Sequence, residues 1–241
     1  MTQSGVAEQR AYYSRTAVDY DAEHLSPDDE HAVALAWMVA LVDQRRLASI
    51  LDVGSGTGRA LLYVKGRTGV RILGIEPSPE LRAVGHRNGL SEAELVAGDA
   101  TALQFPDGSF DLVCAFGVLH HIKEHQRAVA EMCRVARKAL FISDANNFGQ
   151  GSAPVRAAKQ GLKAVGLWHS FDLLRTGFKG YHYSEGDGVF YSYSLFDDLP
   201  VIKASFSNLM FMSTRPSGAN LYRTAGSVAL FASVNPAAEL S

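Results

Sequence analysis

The chain has 241 residues, of which 47% are hydrophobic and 20% are charged, so it is long enough for one large domain with a sizeable core. A formal net charge of -2 argues against a general affinity for nucleic acid or anionic membranes. No apolar run reaches the roughly 18 residues of a membrane helix, the N-terminus lacks the apolar centre of a signal peptide, and both cysteines lie inside apolar runs. We therefore expect a soluble, cytoplasmic protein without disulfides.

The first recognisable unit is a strand followed by a glycine-rich turn. Residues 1–24 are polar with interleaved tyrosines, and residues 28–48 place apolar side chains at helical spacing. The strand at 50–53 leads into Gly54-Ser55-Gly56-Thr57-Gly58, after which the chain suits a helix. Because glycine tolerates positive φ and leaves room for a ligand, this turn predicts a place where backbone N–H groups face a bound molecule. A tight turn without a ligand is the alternative.

Strands and helices then alternate along the chain. Ser78 and Pro79 predict the start of a helix after the second strand, because serine can cap a helix and proline is tolerated in its first turn. A further helix is predicted over 118–136. This rhythm indicates β-α units and a mostly parallel sheet. The strands that follow the glycine turn are predicted at 71–76, 94–99, 110–116 and 139–144.

The pattern changes after residue 144, where an aromatic-rich segment, 146–193, begins. Two late strands joined only by a loop predict an antiparallel edge. We expect one α/β domain over 1–241, with a doubly wound, mostly parallel seven-stranded sheet and an insertion after strand five. The elements predicted beyond residue 144 are a helix at 153–165, a hairpin of 181–184 with 189–193, a helix that starts at 194–199 and ends or kinks at Pro200, and strands at 206–212 and 228–234.

Three predicted strands end at acids: Asp52, Glu76 and Asp99. In an open α/β sheet, ligands bind beyond the carboxyl ends of the strands, where the strand order reverses. Glu76 follows the glycines by about 20 residues, where a carboxylate can accept hydrogen bonds from both ribose hydroxyls. The glycines are spaced G-x-G-x-G, Arg59 stands where the dinucleotide pattern has its third glycine, and no Gly-Lys-Ser/Thr follows. The pattern indicates a nucleoside ligand with no demonstrated need for a pyrophosphate site.

These motifs resemble the class I S-adenosylmethionine-dependent methyltransferases, and most closely the small-molecule branch often grouped as methyltransferase type 11, which includes quinone-biosynthesis enzymes. The likeness covers roughly residues 45–147 and rests on five motifs in the family's order and spacing. They are Leu51-Asp52-Val53-Gly54-Ser55-Gly56-Thr57-Gly58, Gly74-Ile75-Glu76-Pro77-Ser78, Gly98-Asp99-Ala100, the run from Phe105 to Val113, and Val118-Leu119-His120-His121-Ile122.

The resemblance implies a Rossmann-like methyltransferase fold, S-adenosyl-L-methionine as cofactor and S-adenosyl-L-homocysteine as product. It implies that the glycine turn holds the methionine part, that Glu76 binds the ribose diol, and that Asp99 contacts the adenine amine. The N-terminal segment 1–24 would fold over the cofactor. The residues so implied are Asp52, Gly54, Ser55, Gly56, Thr57, Gly58, Glu76, Pro77, Asp99, Ala100, Phe116, Gly117, Tyr12 and Tyr20, with Tyr13 beside them.

Two adjacent histidines, His120 and His121, follow strand four and are candidate catalytic residues. One could deprotonate an acceptor hydroxyl, because histidine titrates near neutral pH. The alternative is that one packs or caps while the other lines the cofactor pocket. His121 and His125 also have the i, i+4 spacing of a metal-binding pair. Without a third ligand or an H-E-x-x-H core, no metal is predicted.

Candidate substrate contacts lie after strand five. Polar residues at its end should face the same crevice, although a structural turn would explain them equally well. The aromatic cluster of segment 146–193 predicts a substrate lid, with an oligomer surface as the alternative. Arg156, Lys159 and Lys163 fit the solvated face of a helix better than an anion site. The proposed substrate residues are Asp144, Asn146, Asn147, Trp168, Tyr181, Tyr183 and Tyr191, beside Phe171, Phe190 and Tyr193.

The main hypothesis is an enzyme that moves the sulfonium methyl in line to an O, N or C atom of a small molecule, such as a natural product, quinone or sugar. A sensor or partner subunit that binds the cofactor without turnover is the alternative, and a nicotinamide oxidoreductase is disfavoured by the glycine spacing. A nucleic acid acceptor is not expected, because Ala115-Phe116-Gly117-Val118 replaces the Asn/Asp-Pro-Pro-Tyr/Phe signature. A homodimer is left open.

Overall fold

The structure, a computed structural model, describes residues 30–235. The predicted N-terminal segment with Tyr12, Tyr13 and Tyr20 lies outside the described residues. The helices are α1 (Glu30–Gln44), α2 (Arg59–Lys65), α3 (Pro79–Arg87), α4 (His125–Val135), α5 (Ala153–Ala164), α6 (Trp168–Arg175), α7 (Leu199–Ser205) and α8 (Leu221–Thr224). The strands are β1 (Ser49–Val53), β2 (Arg71–Ile75), β3 (Leu95–Val96), β4 (Phe110–Phe116), β5 (Ala136–Ala145), β6 (His182–Ser184), β7 (Gly188–Phe190), β8 (Asn208–Ser213) and β9 (Ser227–Ser233).

Seven of these strands form one sheet in the order β3-β2-β1-β4-β5-β9-β8, while β6 and β7 form a separate hairpin. Strands β1 to β5 pair in parallel, and β9 runs antiparallel to both β5 and β8. This confirms the predicted doubly wound α/β sheet with an antiparallel C-terminal edge. Successive strands are added on one side of β1 up to β3 and on the other side from β4 onward. The strand order therefore reverses at β1, and a crevice opens beyond the carboxyl ends of these strands.

The sheet is buried on both faces. Neighbouring residues of one strand point to opposite faces, so Ile50 packs with one set of helices and Leu51 with the other. Helices α1 and α2 cover the first face, and α4 and α7 cover the second. A central strand with two buried faces is expected to be mostly apolar, which explains the apolar run from Leu112 to Phe116 in β4.

Several predicted boundaries are corrected by the structure. The strand at 94–99 is only two residues long, so Asp99 lies in the loop beyond it. The helix predicted over 118–136 begins at His125, because the chain first makes a tight 3₁₀ turn at Leu119–His121. Pro200 lies in the first turn of α7, where its missing N–H costs nothing, and therefore starts this helix rather than ending it. Among the described residues, no helix combines the length and apolar character needed to cross a bilayer.

Candidate active site

The glycine turn between β1 and α2 is shaped by three left-handed glycines. Gly54, Gly56 and Gly58 have φ values of 72°, 56° and 80°, a region that side chains with a Cβ rarely adopt. The N–H groups of Gly54 and Ser55 both donate to the carbonyl of Ile75, at 2.9 and 3.0 Å. The turn is therefore fixed to the end of β2, which brings it next to Glu76.

Glu76 is the acid that joins the two strand ends. Its side chain is 5% exposed, with Oε2 accepting from the N–H of Gly56 at 3.0 Å and Oε1 accepting from the N–H of Ser78 at 2.8 Å. Burial raises the pKa of Glu76 to about 7, although these N–H groups and the Arg82 guanidinium oppose the shift. A carboxylate held in this way can accept further hydrogen bonds from ligand hydroxyls without moving.

Asp52 lies in β1 at the floor of the same crevice. Burial raises its pKa to about 6, against hydrogen bonds from Ser55 and Cys114. The Cys114 thiol lies 3.6 Å from Oδ1 of Asp52, so the side chain is oriented from the neighbouring strand β4. Two acids with raised pKa values in one crevice are a typical feature of a binding site, because the desolvated carboxylates have unused capacity for donors.

A cavity of about 850 Å³ opens between these acids. Its volume falls within the roughly 300–1,000 Å³ of small-molecule sites. A nucleoside ligand fits this lining, since buried Glu76 can accept from a diol while exposed Asp99 stands beyond β3. The walls include the cofactor residues predicted from the sequence within the described part of the chain: Asp52, Gly54, Ser55, Gly56, Thr57, Glu76, Pro77, Asp99, Ala100, Phe116 and Gly117. Gly58 does not line the cavity but caps α2 in the left-handed conformation.

His120 and His121 lie on the 3₁₀ turn that follows β4. Only His121 lines the cavity. Burial on its own would lower the pKa of His120, but the Asp144 and Asp187 carboxylates outweigh it and raise the pKa to about 10. A general base needs a neutral imidazole, and His120 does not provide one at neutral pH while both carboxylates lie beside it. Its catalytic role stays a prediction.

Asp144 sits beneath this turn and shapes it. The carboxylate is 1% exposed, with Oδ2 accepting from the N–H groups of Val118 and Leu119 at 3.0 and 2.8 Å. Oδ1 lies 2.6 Å from Nδ1 of His120. Burial raises the pKa of Asp144, but His120 and these donors prevail and hold it below its usual range. Asp144 therefore orients His120. Its carboxylate points into the histidine turn and does not line the crevice, contrary to the expectation from the sequence.

The other predicted substrate residues do not line the cavity. Asn146 is completely buried, and its Nδ2 donates to carbonyls of Tyr222 and Ala225, both at 2.9 Å. Asn147 accepts from Lys159, and Trp168 donates to Ser192 at 2.8 Å. Tyr181 is also buried, whereas Tyr183 is exposed on the outer side of the hairpin and Tyr191 is half-buried. Their contact with a substrate stays a prediction.

Sequence reasoning missed Asp187. This residue lies in the turn of the β6–β7 hairpin. Its Oδ2 lies 3.4 Å from Nε2 of His120, and its Oδ1 lies 3.4 Å from Nε2 of His121. The hairpin is docked on the histidine turn, because Nδ1 of His121 lies 2.6 Å from the carbonyl of Val189. The one signal in the sequence that could have indicated this residue is its position as an acid between two glycines of a predicted turn, Gly186 and Gly188. His125, which has the i, i+4 spacing from His121, lies with its Nδ1 2.7 Å from Oδ1 of Asp198.

Comparison with known proteins agrees with this geometry. Residues 51–141 match the profile of a family described as a methyltransferase domain. Over these residues the chain is similar to the class I S-adenosylmethionine-dependent methyltransferases. The cofactor that goes with this similarity is S-adenosylmethionine. The match ends within β5, so the segment 146–193 lies outside the part of the chain that this family describes.

Curated relatives share the methyltransferase domain. Phosphatidylethanolamine N-methyltransferase of Cereibacter sphaeroides is 35% identical over an alignment of 130 residues that covers 50% of this chain and 63% of that protein. Demethylmenaquinone methyltransferase of Thermus thermophilus is 34% identical over an alignment of 109 residues that covers 42% of this chain and 49% of that protein. The chain spans less than two thirds of the length of either relative.

A solved structure extends the likeness of fold beyond the methyltransferase domain. Magnesium protoporphyrin IX methyltransferase of Synechocystis PCC 6803, determined with bound SAH, superposes with a TM-score of 0.60 at 17% identity. The match covers 94% of this chain and 98% of that one. At this identity the comparison shows the fold alone.

Proposed function

We propose that the whole protein is an S-adenosylmethionine-dependent methyltransferase that acts on a small molecule. The observation that carries the proposal is buried Glu76, whose two oxygens are fixed by backbone donors at the mouth of a cavity of about 850 Å³. A ribose diol is the ligand group that a fixed carboxylate at the end of a second strand matches. The related proteins named for a phospholipid amine and a quinone support a small acceptor and leave the N, O or C atom open.

In this proposal the chain positions its ligands rather than acting as a nucleophile. The bound cofactor supplies a sulfonium methyl that is already activated. Asp52 and the glycine turn would hold the methionine part, Glu76 the ribose, and Asp99 with Ala100 the adenine. Phe116, the last residue of β4, and Gly117 after it line the cavity wall, where an aromatic face can stabilise a sulfonium cation. Alignment of the acceptor behind the methyl group can supply about 7–11 kcal/mol of the barrier reduction.

The hairpin of β6 and β7 is the element that we propose as the lid. It contacts the histidine turn through the carbonyl of Val189 and through the N–H of Tyr191, which donates to the carbonyl of His120 at 2.8 Å. The turn in turn borders the cavity through His121. An acceptor would therefore enter beside the hairpin, and the aromatic residues behind it would support the lid without facing the methyl group. A cytoplasmic location is proposed with it, supported by two free, buried cysteines, Cys114 and Cys133.

Calorimetry with S-adenosylmethionine, S-adenosylhomocysteine and NAD tests the proposed ligand. We expect both sulfur compounds to bind and NAD not to bind. Glu76→Ala should lose affinity for both, because it removes the acceptor of two hydroxyls, each worth about 1.5–3 kcal/mol when the acceptor is charged. Glu94→Gln is the matched control, since Glu94 is a neighbouring acid that pairs with Lys65 outside the cavity lining. Binding of NAD alone would overturn the proposal.

Transfer of a labelled methyl group separates an enzyme from a sensor. The assay would offer an aminolipid, a reduced quinone, a phenol and a sugar, with S-adenosylhomocysteine formation as the second readout. Transfer to one acceptor with matching product formation supports the enzyme. Tight binding of both sulfur compounds with no product in any assay would favour the sensor or partner subunit instead.

A further inference from the structure

A cluster of three potential metal ligands lies between the histidine turn and the hairpin. His120, His121 and Asp187 each offer one ligand atom, and these three atoms lie within 4.8 Å of one another. The two histidines and the acid are 66 residues or more apart in the chain, and the packing of the hairpin brings them together. Two imidazoles and one carboxylate are a donor set that suits divalent transition metals such as Zn²⁺ or Co²⁺ better than Mg²⁺ or Ca²⁺.

Both imidazoles are oriented so that their Nε2 atoms point at Asp187. Nδ1 of His120 lies 2.6 Å from Oδ1 of Asp144, and Nδ1 of His121 lies 2.6 Å from the carbonyl of Val189. Each Nδ1 therefore donates a proton outward, and Nε2 is the atom that a metal would bind, which displaces the proton from Nε2 of His120. A ligating histidine almost always shows this arrangement, with its other nitrogen donating to a carboxylate or a carbonyl.

The separations within the cluster leave room for a metal ion between its members. Nε2 of His120 lies 3.4 Å from Oδ2 of Asp187, and Nε2 of His121 lies 3.4 Å from Oδ1, so each imidazole faces a different oxygen of the carboxylate. A charge-assisted hydrogen bond is shorter, about 2.7–2.9 Å. Metal–ligand bonds of about 2.1 Å in a tetrahedral site place neighbouring ligand atoms about 3.4 Å apart. The carboxylates of Asp144 and Asp187 would balance the two charges of the cation while both imidazoles are neutral.

We propose that His120, His121 and Asp187 form a binding site for a Zn²⁺-like divalent cation, with Asp144 as the positioning residue behind His120. The metal joins the turn after β4 to the hairpin of β6 and β7. Because His121 also lines the cofactor cavity, a bound metal holds the hairpin against the edge of that cavity. A fourth coordination position remains for water or an oxygen of the acceptor. Metal binding does not depend on methyl transfer, so this proposal can fail while the proposed function stands.

The test is titration of the chelator-treated full-length protein with Zn²⁺ and with Co²⁺, in the absence of S-adenosylmethionine. We expect one metal per chain and a tetrahedral Co²⁺ absorption spectrum. Asp187→Asn and His121→Asn should each weaken binding by more than the roughly 10–100-fold that loss of an outer hydrogen-bond partner costs. Hydrogen exchange at residues 182–190 should slow when Zn²⁺ is added to the wild-type protein, a readout that needs no variant.

Two control variants make the test specific. Glu185→Gln changes the other acid of the same hairpin turn, which is exposed, and should bind metal as the wild type does. His125→Asn removes the histidine of the i, i+4 pair and should also bind normally. Circular dichroism would check that every variant is folded. Less than one metal per chain at saturation, equal affinity in Asp187→Asn, or loss of binding in His125→Asn would each overturn the proposal.

Discussion

Glu76 makes a sharp prediction, because a buried carboxylate must be ionised to bind a ribose diol well. Its pKa is raised from 4.5 to about 7 by burial. In the ligand-free protein Glu76 is therefore about 0.9 protonated at pH 6 and about 0.1 protonated at pH 8. The hydroxyls of a bound cofactor donate to the carboxylate, so they favour the ionised form. We expect the affinity for S-adenosylhomocysteine to increase about tenfold from pH 6 to pH 8, or about 1.4 kcal/mol.

Proton release is the direct measurement of this effect. Calorimetric titration at pH 6 in two buffers of different ionisation enthalpy should report about 0.9 protons released per ligand bound. Glu76→Gln should bind more weakly and lose this pH dependence, because the amide does not titrate. Glu94→Gln should keep it. If wild-type affinity is the same at pH 6 and pH 8 and no proton is released, the assignment of Glu76 to the ribose is wrong.

The same shift has a consequence for stability without ligand, with the opposite sign. Because the folded pKa of Glu76 lies above the unfolded value of 4.5, the folded state holds the proton more tightly. Its contribution to the free energy of unfolding is therefore largest at low pH and falls as pH rises from 4.5 to 7, by about 3 kcal/mol. Urea unfolding should show that the free energy of unfolding of the wild type falls across this range relative to that of Glu76→Gln, because glutamine does not titrate. Parallel curves would contradict the raised pKa.

Two further substitutions test the packing behind the site. Gly74→Ala would place a Cβ 2.2 Å from Oγ of Ser55, so we expect about 1–3 kcal/mol of destabilisation in urea unfolding and weaker binding of S-adenosylhomocysteine, because the glycine turn must shift. Asn146→Ala removes a completely buried amide that bonds three carbonyls and accepts from Ser194, and we expect a loss of about 3–5 kcal/mol in the same measurement.

Matched variants set the baseline for these two changes. Gly69→Ala meets no atom within 4 Å and has no left-handed φ, so it should change stability by less than about 0.5 kcal/mol. Asn208→Ala, at an exposed position, should do the same. If Gly74→Ala were as stable as Gly69→Ala and bound ligand normally, the packing of β2 against the glycine turn would be misjudged. A cost for Asn146→Ala no larger than that for Asn208→Ala would refute the buried amide network.

The part of the cavity around the glycine turn was predictable from the sequence because it depends on local and repetitive features. Left-handed turns favour glycine, and the three alternating glycines at Gly54, Gly56 and Gly58 do adopt positive φ. Ser78 accepts from the N–H of Leu81 at 3.3 Å, as its place before Pro79 indicates. Parallel strands end at one edge of a sheet, so acids at successive strand ends had to meet there. No long-range information was needed for these steps.

The rest of the site was decided by tertiary structure, because it depends on which distant segments pack together. The sequence places Asp144 at a strand end, but only the fold turns its carboxylate inward beneath the histidine turn, where four donors hold it. Nothing local shows that Asp187 meets His120 and His121, since that contact requires the hairpin to dock across the sheet. The aromatic segment was recognised from composition, but composition does not show where side chains point, and the aromatic side chains of this segment do not line the cavity. The sequence by itself thus determined the fold and the glycine-turn side of the cavity through backbone conformation and strand order, whereas the geometry of the histidine cluster came only from contacts between residues far apart in the chain.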